Sequence, residues 1–398
     1  MAARLMEGFP PATQDQVTLA NWRQSPFNHW AFHHVREIIP TADIPHDPAH
    51  VRELKSAPQD LDRLPVTMPG GKSVPFSQFL TDSSTDGIVV LHKGAVVFER
   101  YGHGMTERSP HILMSVSKSM LGLVAGVLAG QGVLDVERPV THYVPEVART
   151  AYTGATVRHL LDMRTGLVFD ENYLATSGPI VAYRKSTNWN PLEPGETPTD
   201  LRSFYSNLTE ADQPHGGRFH YISVNTDLLG WVVERAAGRR FADLMSELIW
   251  QPMGAAESAY ITVDRLGAPR CAGGMCTTTR DLARIGQLIL ERSVRGTKQI
   301  IPESWIADIL ENGDTEAWNA GSFVEFFPGA TMHYRAKWYI ERGRAPLLSG
   351  LGIHGQNLFI DPVNQIVIAK FSSQAPPLDA CLIAATGAAV SAVRKALS

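Results

Sequence analysis

Apolar and polar positions along the chain fall into blocks of different period. Residues 1 to about 80 are rich in Pro, His and Asp; one apolar stretch, 30–39, predicts a short helix, and the rest reads as an extension wrapped on a core and carrying no chemistry. Gly87-Ile-Val-Val-Leu-His92 and Ala95-Val-Val-Phe98, separated by Lys93-Gly94, read as two β-branched strands joined by a tight turn. The stretch 115–132 is apolar on nearly every side (Met120, Leu121, Leu123, Val124, Val127, Leu128), which predicts a helix buried all round and stopped at Gly132.

Helical periods dominate from about 135 to 320, at 157–163, 226–237, 241–248, 279–290 and 304–310. They are interrupted by a polar loop, 170–198, of the length used for lids and binding loops. Strand patterns return at 334–340, 357–360 and 365–371, with Asp361-Pro-Val-Asn364 as a turn, and a closing helix is expected over 378–397. Strands at both ends of the chain predict an α/β (α+β) fold. Residues 81–134 and 321–398 supply a central antiparallel sheet flanked by helices, 135–320 form a mostly helical insertion, and the active site lies between them. No internal repeat is evident.

Composition narrows the partners. With 398 residues, 44% of them hydrophobic, the chain can bury a large core; a net charge of -4 with no Lys/Arg-rich run excludes a nucleic-acid surface. Pro10 and Pro11 interrupt the stretch 1–16 where a secretory signal would be apolar, and no segment reads as a bilayer span, so a cytoplasmic protein without membrane partners is expected. Cys271, Cys276 and Cys381 are odd in number and lack CxxC spacing, and read as small core residues. Fourteen histidines include no H-E-x-x-H, so neither metal nor cofactor is expected. A G-x-S-x-G elbow is absent.

Ser115-Val-Ser-Lys118 is the one S-x-x-K of the chain, and it opens the apolar helix. Three residues apart on a helix, the two side chains share a face, and the serine meets the positive end of the helix dipole. A lysine buried there is costly when charged, so its pKa falls towards neutrality, where a free amine takes the serine proton without a histidine. In Phe219-His-Tyr221-Ile-Ser-Val-Asn225, ahead of a helix, Tyr221 is a candidate proton relay, and Asn225 a candidate to hold either Lys118 or a substrate amide. Ser349-Gly-Leu-Gly352-Ile353-His354-Gly355 is a glycine-rich approach to a strand, where the Ile353 N–H, with that of Ser115, is a candidate oxyanion hole beside Gly352. Its G-x-G-x-x-G spacing fails as a dinucleotide fingerprint, because a strand follows and no βαβ unit surrounds it. His354 is read equally as a substrate-orienting group or as a donor to a carbonyl.

This combination of motifs resembles the superfamily of class C β-lactamases, D,D-peptidases and family VIII carboxylesterases, and within it the 6-aminohexanoate-oligomer (nylon-oligomer) hydrolases. The resemblance runs through Asn28-His-Trp30-Ala-Phe32, Leu113-Met-Ser-Val-Ser-Lys-Ser119, Tyr221 to Asp227, Thr279-Arg-Asp-Leu-Ala-Arg284 and Gly352-Ile-His-Gly-Gln-Asn357. It implies a β-lactamase/transpeptidase-like fold and a Ser115, Lys118, Tyr221 triad with Ile353 N–H in the oxyanion hole. It also implies Tyr173 as the loop tyrosine that bonds a substrate amide and Trp189 as a pocket wall. Three places depart from the pattern: Tyr183-Arg184-Lys185 stands where an acidic residue binds a substrate ammonium, Ala272 replaces a pocket asparagine or histidine, and Gly350-Leu-Gly352 replaces K-T-G. Cleavage of small carboxylic esters, and of linear amides second, is therefore expected, with weak β-lactamase activity and no cofactor. The alternatives are an amide hydrolase of 6-aminohexanoate oligomers, an acyltransferase, and a non-hydrolytic sensor of the same fold; a homodimer is the assembly to test.

Overall fold

The computed structural model describes residues 5–398. Strands from the two ends of the chain meet in one sheet. They are β1 (Lys55–Ser56), β2 (Thr85–His92), β3 (Ala95–Tyr101), β4 (Met332–Arg335), β5 (Trp338–Glu341), β6 (Leu347–Gly352), β7 (Gln356–Asp361) and β8 (Ile366–Ser372). Their order is β4-β5-β6-β7-β8-β2-β3-β1, antiparallel except for the outer β1–β3 pair. The join is the β8–β2 pairing, where Ile368 lies opposite Val90 and Val367 opposite Leu91. Both faces of these strands are covered, which is why they read as continuous rather than alternating apolar runs.

Five helices matter for the site: α1 (Val116–Gly130), α2 (Pro179–Ser186), α3 (Val224–Ala237), α4 (Thr279–Leu290) and α5 (Ala380–Leu397). Helix α5 lays Ala385, Ala389 and Val393 on Ile88, Val90, Ile366 and Ile368 of one sheet face. Helix α4 covers the other so closely that a Cβ at Gly286 would overlap Val367. Helix α1 is enclosed from Val116 to Leu128. A Cβ at Gly122 would overlap the Ala336 carbonyl and one at Gly126 the Trp305 ring, so these glycines let neighbouring chain press directly on the helix.

Several expectations are corrected. The stretch 334–340 is two strands, because the chain reverses at Ala336 and Lys337 with φ of 48° and 73°; the alternation continues across the turn, and neither residue is a usual turn former. The polar loop 170–198 contains α2, which starts at Pro179 after the left-handed Gly178 and buries Ile180, Tyr183 and Arg184. The helix expected at 30–39 is a short turn, Asn28–Ala31, followed by a 3₁₀ turn, Val35–Glu37. Helix α4, within 135–320, packs on β2, β7 and β8 of the main sheet. A second, four-stranded sheet of Thr41–Ile44, Ala259–Thr262, Met275–Thr277 and His111–Ile112 was not foreseen, being assembled from four distant short segments. Contrary to the sequence reading, α5 is long and apolar enough by composition to cross a bilayer; here its apolar face lies on the sheet and Arg394 pairs with Asp361 at 2.6 Å.

Candidate active site

Ser115 caps α1, entered through Met114, whose φ of 44° is a left-handed conformation that a side chain adopts only when its surroundings enforce it. The Leu113 N–H bond to Met275 O, at 2.8 Å, anchors the segment that makes this turn. One helical turn on, Lys118 is 1% exposed and its Nζ lies 2.8 Å from Ser115 Oγ and 2.7 Å from Ala272 O. Burial brings its pKa down to about 7; the charges of Glu171 and Asp227 pull it up and that of Arg270 pulls it down. Near neutral pH much of this lysine is a free amine pointed at a hydroxyl.

Tyr221 closes the other side. Its ring centroid is 5.0 Å from Lys118 Nζ and it stacks on Phe323 at 4.8 Å. Burial pushes its pKa up, while hydrogen bonding with Ser115 and Tyr339 pulls the other way, so the phenol keeps its proton and is positioned to pass it on. The end of β6 lies against the helix start: a Cβ on Gly352 would stand 2.8 Å from Leu113 O and 3.0 Å from Ser115 N. Only glycine admits that approach, which brings the next amide, of Ile353, to the same place as that of Ser115. Two backbone N–H groups meeting there suit a developing oxyanion. Tyr173, half-buried, lines the same cavity with Ser115, Tyr221, Gly352 and Ile353, and burial raises its pKa.

Two expected substrate contacts, Asn225 and Trp189, are corrected, and of the two readings of His354 the structure shows the bond to a carbonyl. Asn225 is fully buried; its amide bonds Thr165 Oγ1 at 2.8 Å and accepts from Tyr152 OH at 3.0 Å, so it touches neither Lys118 nor the cavity. Trp189 is buried against Trp22, donates to Thr262 Oγ1 at 3.2 Å and backs Gly273 instead of lining the cavity. His354 turns inward, its Nδ1–H donating to Gln374 O at 2.7 Å; burial lowers its pKa to about 4, leaving a neutral ring that ties down the loop carrying Ile353.

The structure adds groups that spacing did not single out. Buried Asp227 accepts the Ala272 N–H at 2.7 Å and pairs with Arg270, thereby fixing the carbonyl that holds Lys118. Glu171 accepts the Ser223 N–H at 2.8 Å and places a negative charge near Lys118. Arg184, expected to repel cations, is buried and braces the Tyr173 loop through Tyr173 O at 3.0 Å. Asp227 ends the Tyr221 to Asp227 segment that carries the family resemblance, so its position was the available signal. His29, Asp86 and His103 have metal-ligand spacing, but Asp86 already accepts from His103, His111 and Ser373.

Fold and site place the protein among hydrolases of the β-lactamase/transpeptidase-like fold. The chain belongs to the family described as Beta-lactamase, which matches residues 76–391, and is a serine hydrolase of that family. The 6-aminohexanoate-dimer hydrolase of Paenarthrobacter ureafaciens is 35% identical over 93% of this chain and 91% of its own length. Esterase EstB of Burkholderia gladioli is 26% identical over 48% of this chain and 50% of its own. Among solved structures, a putative 6-aminohexanoate-dimer hydrolase from Bacillus anthracis superposes with a TM-score of 0.88 at 29% identity, covering 98% of this chain and 99% of that one.

Proposed function

We propose that the protein cleaves carboxylic esters, and linear amides second, through an acyl-enzyme on Ser115. The observation that carries this reading is the buried Lys118 amine 2.8 Å from Ser115 Oγ with a pKa brought down to about 7. Lys118 takes the Ser115 proton as Oγ forms a bond to the carbonyl carbon. The carbonyl oxygen, now negative, is held by the Ser115 and Ile353 N–H groups, and Tyr221 delivers a proton to the leaving group as the old bond breaks, taking in turn the proton held by Lys118, which is free base again. Water then repeats the sequence and releases the acid. Tyr173 and Gly352 contact the substrate.

Ester preference is supported by Ala272, whose side chain offers no hydrogen bond. Amide hydrolysis of a 6-aminohexanoate dimer is the second reading, favoured by the 35% identical relative. Three free cysteines, two of them buried, support a cytoplasmic compartment. The test is a parallel assay of p-nitrophenyl acetate, 6-aminohexanoate dimer and nitrocefin. Ester turnover should lead, and Ser115→Ala should lower its kcat by about 10⁴ to 10⁶. A folded Ser115→Ala protein with undiminished ester turnover would overturn the assignment.

A further inference from the structure

Ser115 lies at one end of a cavity of about 340 Å³ that continues well past the reacting atoms. Its floor is one face of the sheet. Tyr339 pairs with Ser349, which pairs with Phe359; Glu341 pairs with Leu347, and Leu351 with Asn357, so all of these point to one side. Over that floor α5 presents Ile383, Gly387, Val390 and Arg394, spaced as one helix face. Phe323, Phe326 and Phe327 close the flank, beginning at the ring stacked on Tyr221.

From Gly352 beside Ser115 back to Leu347 the floor runs roughly 17 Å at about 3.3 Å per strand residue. A chain extended at about 1.2 Å per bond fills that with roughly a dozen carbons. Phe323, Phe326, Leu351, Leu382 and Ile383 are half-buried and contiguous, an apolar surface that a protein leaves uncovered chiefly where something binds. The far end carries Glu341, and its cation, Arg394, is held by Asp361 at 2.6 Å and Ala345 O at 2.7 Å, so that end does not suit an anionic head group.

We propose that this groove binds an unbranched apolar chain of about a dozen carbons joined to the scissile carboxyl group, so that long-chain esters are better substrates than acetates. The inference rests on the Ser115 reading above. The chain belongs either to the acyl group or to the alcohol, and two substrate series separate these.

kcat/KM is measured for p-nitrophenyl esters from acetate to tetradecanoate, and for acetates of alcohols from ethyl to dodecyl. Each added methylene should raise it roughly twofold to fourfold in one series until the groove is full, the upper factor corresponding to burial of about 0.8 kcal/mol per methylene. The series that rises tells which side occupies the groove. Gly387→Leu is the companion variant: the glycine lines the groove, a Cβ there meets nothing within 4 Å, and leucine favours the helix, so loss of folding does not compete with the readout. It should lower the ratio of long-chain to short-chain kcat/KM by about tenfold and move the optimum to shorter chains. Profiles flat or falling in both series, with acetate still turned over in a Ser115-dependent way, would overturn the inference and leave the esterase reading standing. A long-chain optimum unmoved by Gly387→Leu would overturn the groove as its cause. Absence of turnover on every ester would remove the esterase reading itself, and this inference with it.

Discussion

At the scale of single residues, the chemistry turns on how strongly the fold discharges Lys118. Burial is the largest influence, and the charges around it come from three segments: Glu171 and Asp227 raise its pKa, and Arg270 lowers it. Because the folded pKa is about 7, the free-base fraction falls tenfold per pH unit below that value and saturates above it. The kcat/KM profile for an ester should therefore show an ascending limb near pH 7 and a plateau above, and a profile flat across that range would count against lysine as base. The sign of the Glu171 influence gives a sharper check. Removing that negative charge in Glu171→Gln weakens the protonated form of Lys118, so the limb should move to lower pH. Asp227→Asn acts in the same direction electrostatically but also releases the Ala272 N–H and leaves Arg270 without its carboxylate, so it tests less cleanly.

At the scale of elements, the site depends on the end of one strand touching the start of one helix. Gly352 makes that contact possible, and Gly352→Ala would force its Cβ onto Leu113 O and the Ser115 amide. Displacing the Ile353 N–H in this way should cost about 10² in kcat, the magnitude for losing one oxyanion donor. Kinetics read beside a thermal melt check this, since a kcat unchanged in a folded variant would show that the amide has no part in the reaction. Of the two elements, the helix was legible in the sequence. A run apolar on all sides predicted α1, S-x-x-K marked its opening, and the glycine-rich stretch was read as the approach to the strand that is β7, whereas β6, which carries Gly350 and Gly352, was not read as strand. What failed was the identity of neighbours. Period places Asn225 at the start of α3 but does not say that Tyr152 and Thr165 meet it there. Trp189 and His354 were found as aromatic and polar groups near motifs, whereas their inward orientation depends on Trp22 and Gln374, remote in the chain. The Asp227, Ala272 and Lys118 linkage joins three segments through a backbone carbonyl, which no side-chain pattern encodes.

At the scale of the whole molecule, the segment 28–33 is tied to the β6–β7 connection and to the chain that follows β8, and histidines lie in that joint. Asn28 donates to Ser373 O and Gln374 O at 3.1 and 3.2 Å, Phe32 packs edge-on to His354 at 5.2 Å, and His33 is held nearby through His29 O. Burial lowers the pKa of both His33 and His354 to about 4, in His33 with added repulsion from His34 and His111. Below the ordinary value of 6.5 the unfolded chain takes up protons that these folded sites refuse, so stability falls with pH from about 6.5 to about 4. For His354 the loss is on the order of 3 kcal/mol across that window. His103 has the opposite sign, because its bond to Asp86 raises its pKa and its contribution fades only as pH rises above 6.5. Thermal melts should therefore show Tm dropping below pH 6.5, ahead of most carboxylate titration. His354→Asn, which tolerates the left-handed backbone at this position (φ 60°), should flatten that drop. An equally steep decline in the variant would place the acid sensitivity elsewhere. The comparison also separates two causes of lost activity in acid: protonation of Lys118 acts near pH 7 on a folded enzyme, whereas the histidine joint fails lower and takes the Ile353 loop with it.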